Sequence, residues 1–262
     1  MLPLPFAGDG LVHALWVGLG IAAATLVYVA ERRRRSLTDD RLWTIFGFAL
    51  AFAAVGSRLG TWFQEVDPSR NRAVIEWWLD GNRSVLAALV GAWLGVLLGK
   101  RLMGYRASTG DLFAPATAVA LAIGRVGCLL TELPGTPTGG DWGIVLTPKQ
   151  AALFGVQAGV GLHPSFVYEI AFHVLAFVLM WRYRDSLPRP GDLFVCFVAG
   201  YAAFRFGVEF IRGNELVWFG LSRPQWFLTA TSPLLAWRVA RIWHPAKPGA
   251  RLPAPDIVAG GA

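Results

Sequence analysis

The sequence has few of the residues on which soluble catalytic and metal sites are usually built. It contains two cysteines and four histidines among 262 residues. Cys128 and Cys196 both lie within apolar runs, so neither a disulfide framework nor a zinc-finger spacing is predicted. The histidines are scattered and show no metal-ligand pattern. No Walker loop, dinucleotide fingerprint or GxSxG element occurs, which argues against the common nucleotide-binding and α/β-hydrolase sites.

Charge is also scarce. Only 16% of the residues are charged, 55% are hydrophobic, 12 are tryptophan, and the mean hydropathy is +0.47. This composition is too apolar for a soluble domain of this length. The net charge is +7, but the basic residues lie in short loops, as in membrane proteins, and form no nucleic-acid patch. We therefore expect a polytopic membrane protein without a nucleic-acid partner.

Seven apolar segments have roughly the length that a helix needs to cross a bilayer, about 20 residues. They cover residues 11–30, 41–62, 84–99, 112–131, 164–181, 193–211 and 218–239. No Lys or Arg precedes the first segment, so we expect a retained helix there and not a cleaved signal. The sequence predicts an all-α, seven-helix membrane domain over residues 1–242 and a disordered cytoplasmic tail over residues 243–262.

The distribution of Lys and Arg among the loops predicts the orientation. One set of alternate loops holds 15 of these residues and the opposite set holds six. The positive-inside rule puts the richer set in the cytoplasm, with the N-terminus outside and the C-terminus inside. In that orientation the polar residues inside the spans collect near the outer leaflet. This placement predicts one water-accessible cavity that opens on the outer side.

The stretch of residues 191–214, which contains the sixth segment, carries four polar residues at spacings of four, four and three. These residues share one face of a helix: Tyr201, Arg205, Glu209 and Arg212. Ionised groups cannot face lipid without a large cost, so this face should meet a cavity or a partner helix. One interpretation is a site; the other is an Arg205–Glu209 ion pair that only holds helices together.

A short repeat suggests a second arginine at the same depth. GDLF occurs at residues 110–113 and 191–194, and Arg125 and Arg205 follow its glycines by 15 and 14 residues. Both arginines therefore lie about 22 Å along their helices. Arginine suits forked recognition of phosphate, and a phospholipid head group is the anion available at that depth.

Three blocks of the sequence resemble the signature blocks of the bacterial prolipoprotein diacylglyceryl transferase family. They are GRVGCLLTELPG (124–135), HPSFVYE (163–169) and GYAAFRFGVEFIRGNE (200–215), and GSRLG (56–60) matches a further short motif. The resemblance implies transfer of a diacylglyceryl group from phosphatidylglycerol to the lipobox cysteine of a prolipoprotein signal peptide, with glycerol phosphate leaving. It also implies a multi-pass, monomeric protein of the bacterial inner membrane, surrounded by membrane lipids, that needs no metal or cofactor.

Within this resemblance, Arg125 and Arg205 are expected to stabilise the phosphate charge that grows as the thiolate attacks. Glu209 would orient Arg205. Three residues remain open as the base that forms the thiolate: Glu169, Glu132 and His163. The residues expected to bind substrate are Arg58, Tyr168, Tyr201, Arg212, Cys128 and again His163.

The chain departs from the family's pattern in several places, and two of these departures bear on the site. Where the family has a His-Gly-Gly-Leu motif, this sequence has Leu86, Ala87, Ala88 and Leu89. Cys128 stands where asparagine usually follows GRxG. Two other functions therefore stay open: a non-catalytic or altered-substrate lipid-binding protein, and a small-anion transporter. A transporter needs a polar path to the cytoplasmic side, and only the two GDLF aspartates lie there.

Overall fold

The computed structural model describes residues 2–65 and 84–243, and within these ranges the chain is mostly helical. Residues 244–262, nearly all of the predicted tail, lie outside them. The α-helices of these ranges are α1 (Gly10–Arg34), α2 (Arg41–Glu65), α3 (Val85–Leu102), α4 (Gly110–Thr131), α5 (Pro148–Phe154), α6 (Ser165–Tyr183), α7 (Asp192–Val208) and α8 (Arg223–Trp243). A 3₁₀ turn, Glu209–Ile211, continues α7.

Six of the described helices are long and apolar enough to cross a membrane: α1, α2, α3, α4, α6 and α7 with its 3₁₀ turn. Each corresponds to one of the first six predicted segments. The helix α8 is not among them; the seventh predicted segment, 218–239, covers a short hairpin and most of this helix. Leu15, Leu26 and Leu175 lie exposed on the helix surfaces, as expected for side chains that face lipid.

The long helices pack in close pairs through small residues. A Cβ atom added at Gly56 on α2 would lie 2.6 Å from the carbonyl oxygen of Ala87 on α3. A Cβ at Gly91 on α3 would collide with the Phe52 carbonyl of α2. Between α1 and α4, a Cβ at Gly20 would lie 2.7 Å from the Ala120 carbonyl. Small residues allow membrane helices to approach this closely, so the glycines of GSRLG serve the packing of α2 on α3.

At the end of the bundle where α1 ends and α4 begins, buried contacts join the α1–α4 pair to the α2–α3 pair. The Tyr28 hydroxyl of α1 donates a hydrogen bond to the Leu42 carbonyl of α2, over 2.8 Å, and its ring packs on Phe113 of α4. The repeat GDLF begins α4 and α7, where Asp111 accepts a hydrogen bond from the Leu193 amide at 3.1 Å. The two copies of the repeat therefore start helices, as predicted, and also tie them to each other.

Short strands occupy the opposite end of the bundle. In a three-stranded sheet, β2 (Ile144–Val145) pairs in parallel with β1 (Leu2–Pro3) and antiparallel with β3 (Gly161–Leu162). After the 3₁₀ turn, β4 (Leu216–Trp218) and β5 (Leu221–Ser222) form a hairpin. These elements and α5 flank the ends of α4, α6 and α7 at which the intramembrane charges lie.

Candidate active site

A buried network of charged side chains joins all three motif blocks. Glu169, in the second turn of α6, is fully buried and contacts a guanidinium through each of its oxygens. Its Oε2 lies 2.6 Å from Nη2 of Arg125 on α4, and its Oε1 accepts a hydrogen bond from Nη1 of Arg212 at 2.8 Å. Burial lowers the pKa of Arg212 and Glu169 opposes that effect, but a guanidinium remains charged at neutral pH.

Aromatic side chains complete the surroundings of this network. The Tyr201 hydroxyl lies 3.4 Å from both Arg125 Nη2 and Glu169 Oε2, so it can accept from one and donate to the other. The Phe166 ring lies 4.5 Å from the guanidinium carbon of Arg212 and 5.9 Å from that of Arg125. A ring face within about 6 Å attracts a cation, so Phe166 stabilises both guanidinium groups.

Arg205 and Glu209 form a second buried pair one turn further along. The Arg205 guanidinium donates to Glu209 Oε2. The other oxygen of Glu209 accepts from the Ser222 hydroxyl at 2.7 Å and from the Asn214 amide at 2.5 Å. Glu209 thus ties Arg205 to the β4–β5 hairpin. Arg205 also interacts electrostatically with Glu169, so the two pairs belong to one charged cluster.

Two guanidinium N–H groups in this cluster have no acceptor in the part of the chain that the structure describes. The Nε atoms of Arg125 and Arg212 are buried and lack a hydrogen-bond partner among the described residues. Buried donors are rarely left unsatisfied. Both atoms belong to side chains that already hold Glu169, so they can donate to an anion bound beside that carboxylate. The cluster therefore has the chemistry of a phosphate site.

A second group of polar side chains lies beside Arg125, and the sequence did not predict that its members would be in contact. His13, in the first turn of α1, lies 3.3 Å from Glu132 and 3.5 Å from the Cys128 sulfur. The nearest guanidinium nitrogen of Arg125 is 3.7 Å from the same sulfur. Burial tends to raise the pKa of Glu132, but the hydrogen bond with His13 and the charge of Arg125 lower it below its ordinary value. The sequence had placed Cys128 and Glu132 among the expected site residues, but not His13.

Three further residues were predicted to bind substrate: Tyr168, His163 and Arg58. Tyr168 and His163 contact each other, with the hydroxyl 3.4 Å from Nδ1, and the His163 ring packs edge-on against Trp142. Pro164 is the N-cap residue of α6, so His163 precedes the cap. Arg58 lies half-buried on α2. A substrate-binding role for these three residues stays a prediction.

Comparison with known proteins covers the same part of the chain. The model of the prolipoprotein diacylglyceryl transferase family matches residues 11–240, which include every residue of the charged cluster. The chain belongs to this family.

Individual relatives can be aligned with this chain over most of their length. The chain is 31% identical over 230 residues to a phosphatidylglycerol–prolipoprotein diacylglyceryl transferase of Bordetella bronchiseptica, covering 80% of this chain and 84% of the relative. A protein of the same name from Leifsonia xyli is 31% identical over 270 residues, or 94% of this chain and 79% of the relative. A third, from Mycobacterium leprae, is 32% identical over 241 residues, or 81% and 69%.

A leucine, Leu86, occupies the position at which the family's histidine is expected, and it packs beside the charged cluster. Leu86, in the first turn of α3, is buried and packs with Tyr201 and Leu228. The Tyr201 hydroxyl in turn contacts Arg125 and Glu169. A histidine at position 86 would therefore lie close to the charged network, and this family member has a hydrocarbon side chain there instead.

Proposed function

We propose that this protein transfers a diacylglyceryl group from phosphatidylglycerol to the lipobox cysteine thiol of a prolipoprotein, forming a thioether. The observation that carries the proposal is the buried Arg125–Glu169–Arg212 network, in which each motif block of the family contributes one residue. Family membership supports the reaction type, and the network supplies the groups that the reaction needs.

The chemistry requires stabilisation of a growing negative charge. The thiolate sulfur attacks the glycerol carbon of the lipid, the C–O bond to phosphate breaks, and glycerol phosphate departs with the electron pair. We assign the unsatisfied Nε–H groups of Arg125 and Arg212 to the phosphate oxygens. Arg205, held by Glu209, adds positive charge beside them. Donors that are fixed before the reaction avoid reorganisation at the moment of bond breaking.

Glu169 is better suited to positioning than to proton transfer. Both of its oxygens are ion-paired, one with Arg125 and one with Arg212. A carboxylate held this way is a weak base, because each guanidinium favours its ionised form. We infer that Glu169 fixes the two arginines, and that proton removal from the thiol falls to groups on the Glu132 side of the cluster.

The placement of the site suits a reaction between a lipid and a signal peptide. We propose seven spans, with α8 as the seventh, the N-terminus outside, and the cluster at the outer leaflet of the bacterial inner membrane. The β4–β5 hairpin supports a site near the membrane–water boundary, because its residues Trp218 and Phe219 are 70% and 93% exposed. Aromatic side chains are enriched at membrane–water boundaries.

A second function is favoured by one observation. Leu86 is a hydrocarbon where the family resemblance leads one to expect histidine, so the chain could bind phosphatidylglycerol without transferring its lipid moiety. Such a protein would keep the arginine cluster and bind the donor lipid. It would leave a thiol peptide unmodified.

Mass spectrometry of a lipobox peptide separates these functions. The purified protein is incubated with phosphatidylglycerol vesicles and the peptide, and the expected product carries the mass of one diacylglyceryl group. The Arg125→Ala variant should form this product about 10²–10³-fold more slowly, whereas Arg223→Ala, which removes an exposed arginine paired with Glu215, should match the wild type. Lipid binding without any peptide product in the wild type would favour the binding protein.

A further inference from the structure

The group formed by His13, Cys128 and Glu132 is unlike the rest of the site, because it combines three different metal-ligating side chains. One ligating atom of each residue lies within 4.8 Å of the other two. The Cys128 residue is buried, the His13 side chain is 18% exposed, and the Glu132 side chain is 43% exposed. One flank of the group is therefore accessible while the other rests on the protein interior.

The fold brings these residues together from two helices. Cys128 and Glu132 are four residues apart at the end of α4, so they share a face. Gly127 allows α1 to approach that face: a Cβ there would lie 3.0 Å from the Trp16 Cβ and 3.2 Å from the His13 carbonyl oxygen. His13 precedes Cys128 by 115 residues, which explains why no metal-ligand spacing is visible in the sequence.

Two of the three distances between the ligating atoms match those in a tetrahedral zinc site, and the third, from the sulfur to the carboxylate oxygen, is within 4.8 Å. Zn–S bonds of about 2.3 Å and Zn–N or Zn–O bonds of about 2.0–2.1 Å place neighbouring ligand atoms roughly 3.3–3.6 Å apart. Here the histidine nitrogen lies 3.5 Å from the sulfur and 3.3 Å from the carboxylate oxygen. Thiolate, imidazole and carboxylate are also the ligand types that zinc accepts.

We propose that His13, Cys128 and Glu132 bind a zinc ion whose fourth position is open to the thiol of the acceptor peptide. Three protein ligands with one exchangeable position are the usual arrangement of catalytic zinc. Arg125, 3.7 Å from the sulfur, supports a charged thiolate ligand. The same guanidinium contacts Glu169 with its other terminal nitrogen, so the three-residue group adjoins the proposed phosphate site.

The zinc site rests on the proposed function and adds a step to it. The zinc ion would help to form the thiolate of the peptide, which the hydrocarbon side chain of Leu86 cannot do. The peptide thiol binds the zinc ion and its proton passes to water, since a metal-bound thiol is deprotonated. The zinc-bound sulfur then uses a lone pair to form the C–S bond. The C–O bond to phosphate breaks, glycerol phosphate leaves with that electron pair, and the thioether dissociates from the metal.

Metal content tests the site directly. The full-length protein is purified in detergent with an affinity tag free of histidine, treated with chelator, reloaded with zinc and measured by inductively coupled plasma mass spectrometry. We expect about one zinc ion per chain. Cobalt substitution should give the near-ultraviolet charge-transfer band of a cobalt–thiolate bond.

Matched variants locate the metal. Cys128→Ser should lose the bound zinc and the cobalt–thiolate band, and His13→Gln should bind zinc at least 10-fold more weakly. Cys196→Ser, which changes the other, exposed cysteine, should retain both signals. A protein that holds no zinc after reloading, or a Cys128→Ser variant that holds as much as the wild type, overturns the proposal and leaves a hydrogen-bonded cluster.

Activity separates this proposal from the proposed function. Zinc loading should raise the rate of peptide lipidation at least 10-fold over the chelated protein, and Cys128→Ser should remove that response. Full lipidation by the chelated, zinc-free protein would refute a role for zinc and leave the transferase intact. Zinc bound through Cys128 without lipidation of any peptide would support the metal site and count against the transferase.

Discussion

The two carboxylate oxygens of Glu169 have different arginine partners. Glu169 can therefore position both arginines, and kinetic measurements can distinguish this role from that of a base. Arg125 and Arg212 come from different elements, and Glu169 is the common anion that holds both. Removing one partner of a buried ion pair leaves an uncompensated charge, which costs about 3–5 kcal/mol. A positioning role and a base role therefore predict different pH behaviour for the same substitution.

We expect Glu169→Gln to lower kcat/KM for lipidation by more than 10-fold and to raise the KM for phosphatidylglycerol, because Arg125 and Arg212 lose their anchor. The pH profile of the remaining activity should keep the inflections of the wild type. Steady-state rates between pH 5 and pH 9 provide the measurement. A profile that loses its acidic limb would show that Glu169 is the base.

The arginines themselves make a second prediction at this scale. Arg125→Ala and Arg205→Ala should each lower the rate by about 10²–10³-fold, the usual effect of losing a fixed donor to a developing charge. Lysine at either position should restore little, because an ammonium group cannot reproduce the forked contact. Lipidation rates and detergent-solution melting curves check this, with Arg223→Lys as the exposed control. Full activity in both lysine variants would exclude forked phosphate binding.

At the scale of the helices, the sequence predicted more than it did at the site. Hydrophobic runs predicted the ends of the six long apolar helices to within a few residues, because length and hydropathy are local properties. The rotation of each helix is not local. The contact of His13 with Cys128 depends on how α1 lies against α4, and the hydrogen bonds of Glu209 with Ser222 and Asn214 depend on the hairpin.

The motif GSRLG illustrates the same limit. From the sequence alone, Arg58 was predicted to bind substrate. The structure shows instead what the glycines of the motif do, because they allow α2 to pack closely on α3. Gly56 leaves no room for a Cβ against α3, and Gly47, two and a half turns earlier on the same helix, has none of these neighbours. The two glycines therefore provide a matched pair.

We expect Gly56→Ala to lower the melting temperature in detergent, because its new methyl group would meet the Ala87 carbonyl at 2.6 Å. Gly47→Ala should be neutral or stabilising, since alanine in a helix is favoured over glycine by about 0.5–1 kcal/mol. Differential scanning calorimetry or fluorescence melting checks the pair. Equal melting temperatures in the two variants would mean that α2 and α3 can separate without cost.

For the whole molecule, the charged side chains divide between two ends of the bundle. One end holds Arg125, Glu169 and Glu209 with their partners; the other holds Glu31, buried among arginines of α1 and of the loop after α6. The gathering of the intramembrane charges at a single end was predicted from their positions along each span, and the contacts between them confirm it. Which end faces outward rests on the loop charges and stays a prediction.

Single cysteines test that orientation. In a Cys196→Ser background, Asp141→Cys, exposed at the end that holds the charged cluster, should react with a membrane-impermeant maleimide in intact cells. Arg33→Cys, exposed at the opposite end, should react only after the membrane is permeabilised. Labelling of position 33 but not of position 141 in intact cells would reverse the topology and move the site to the cytoplasmic side.

The most direct test of the central claim follows both products of one reaction. Phosphatidylglycerol labelled in its head group is mixed with the purified protein and a lipobox peptide, and released glycerol phosphate is counted against peptide thioether. The account predicts equal amounts of the two, and no release when the peptide cysteine is replaced by serine. Release that does not depend on the thiol, or binding of the lipid with no release at all, would contradict diacylglyceryl transfer by this protein.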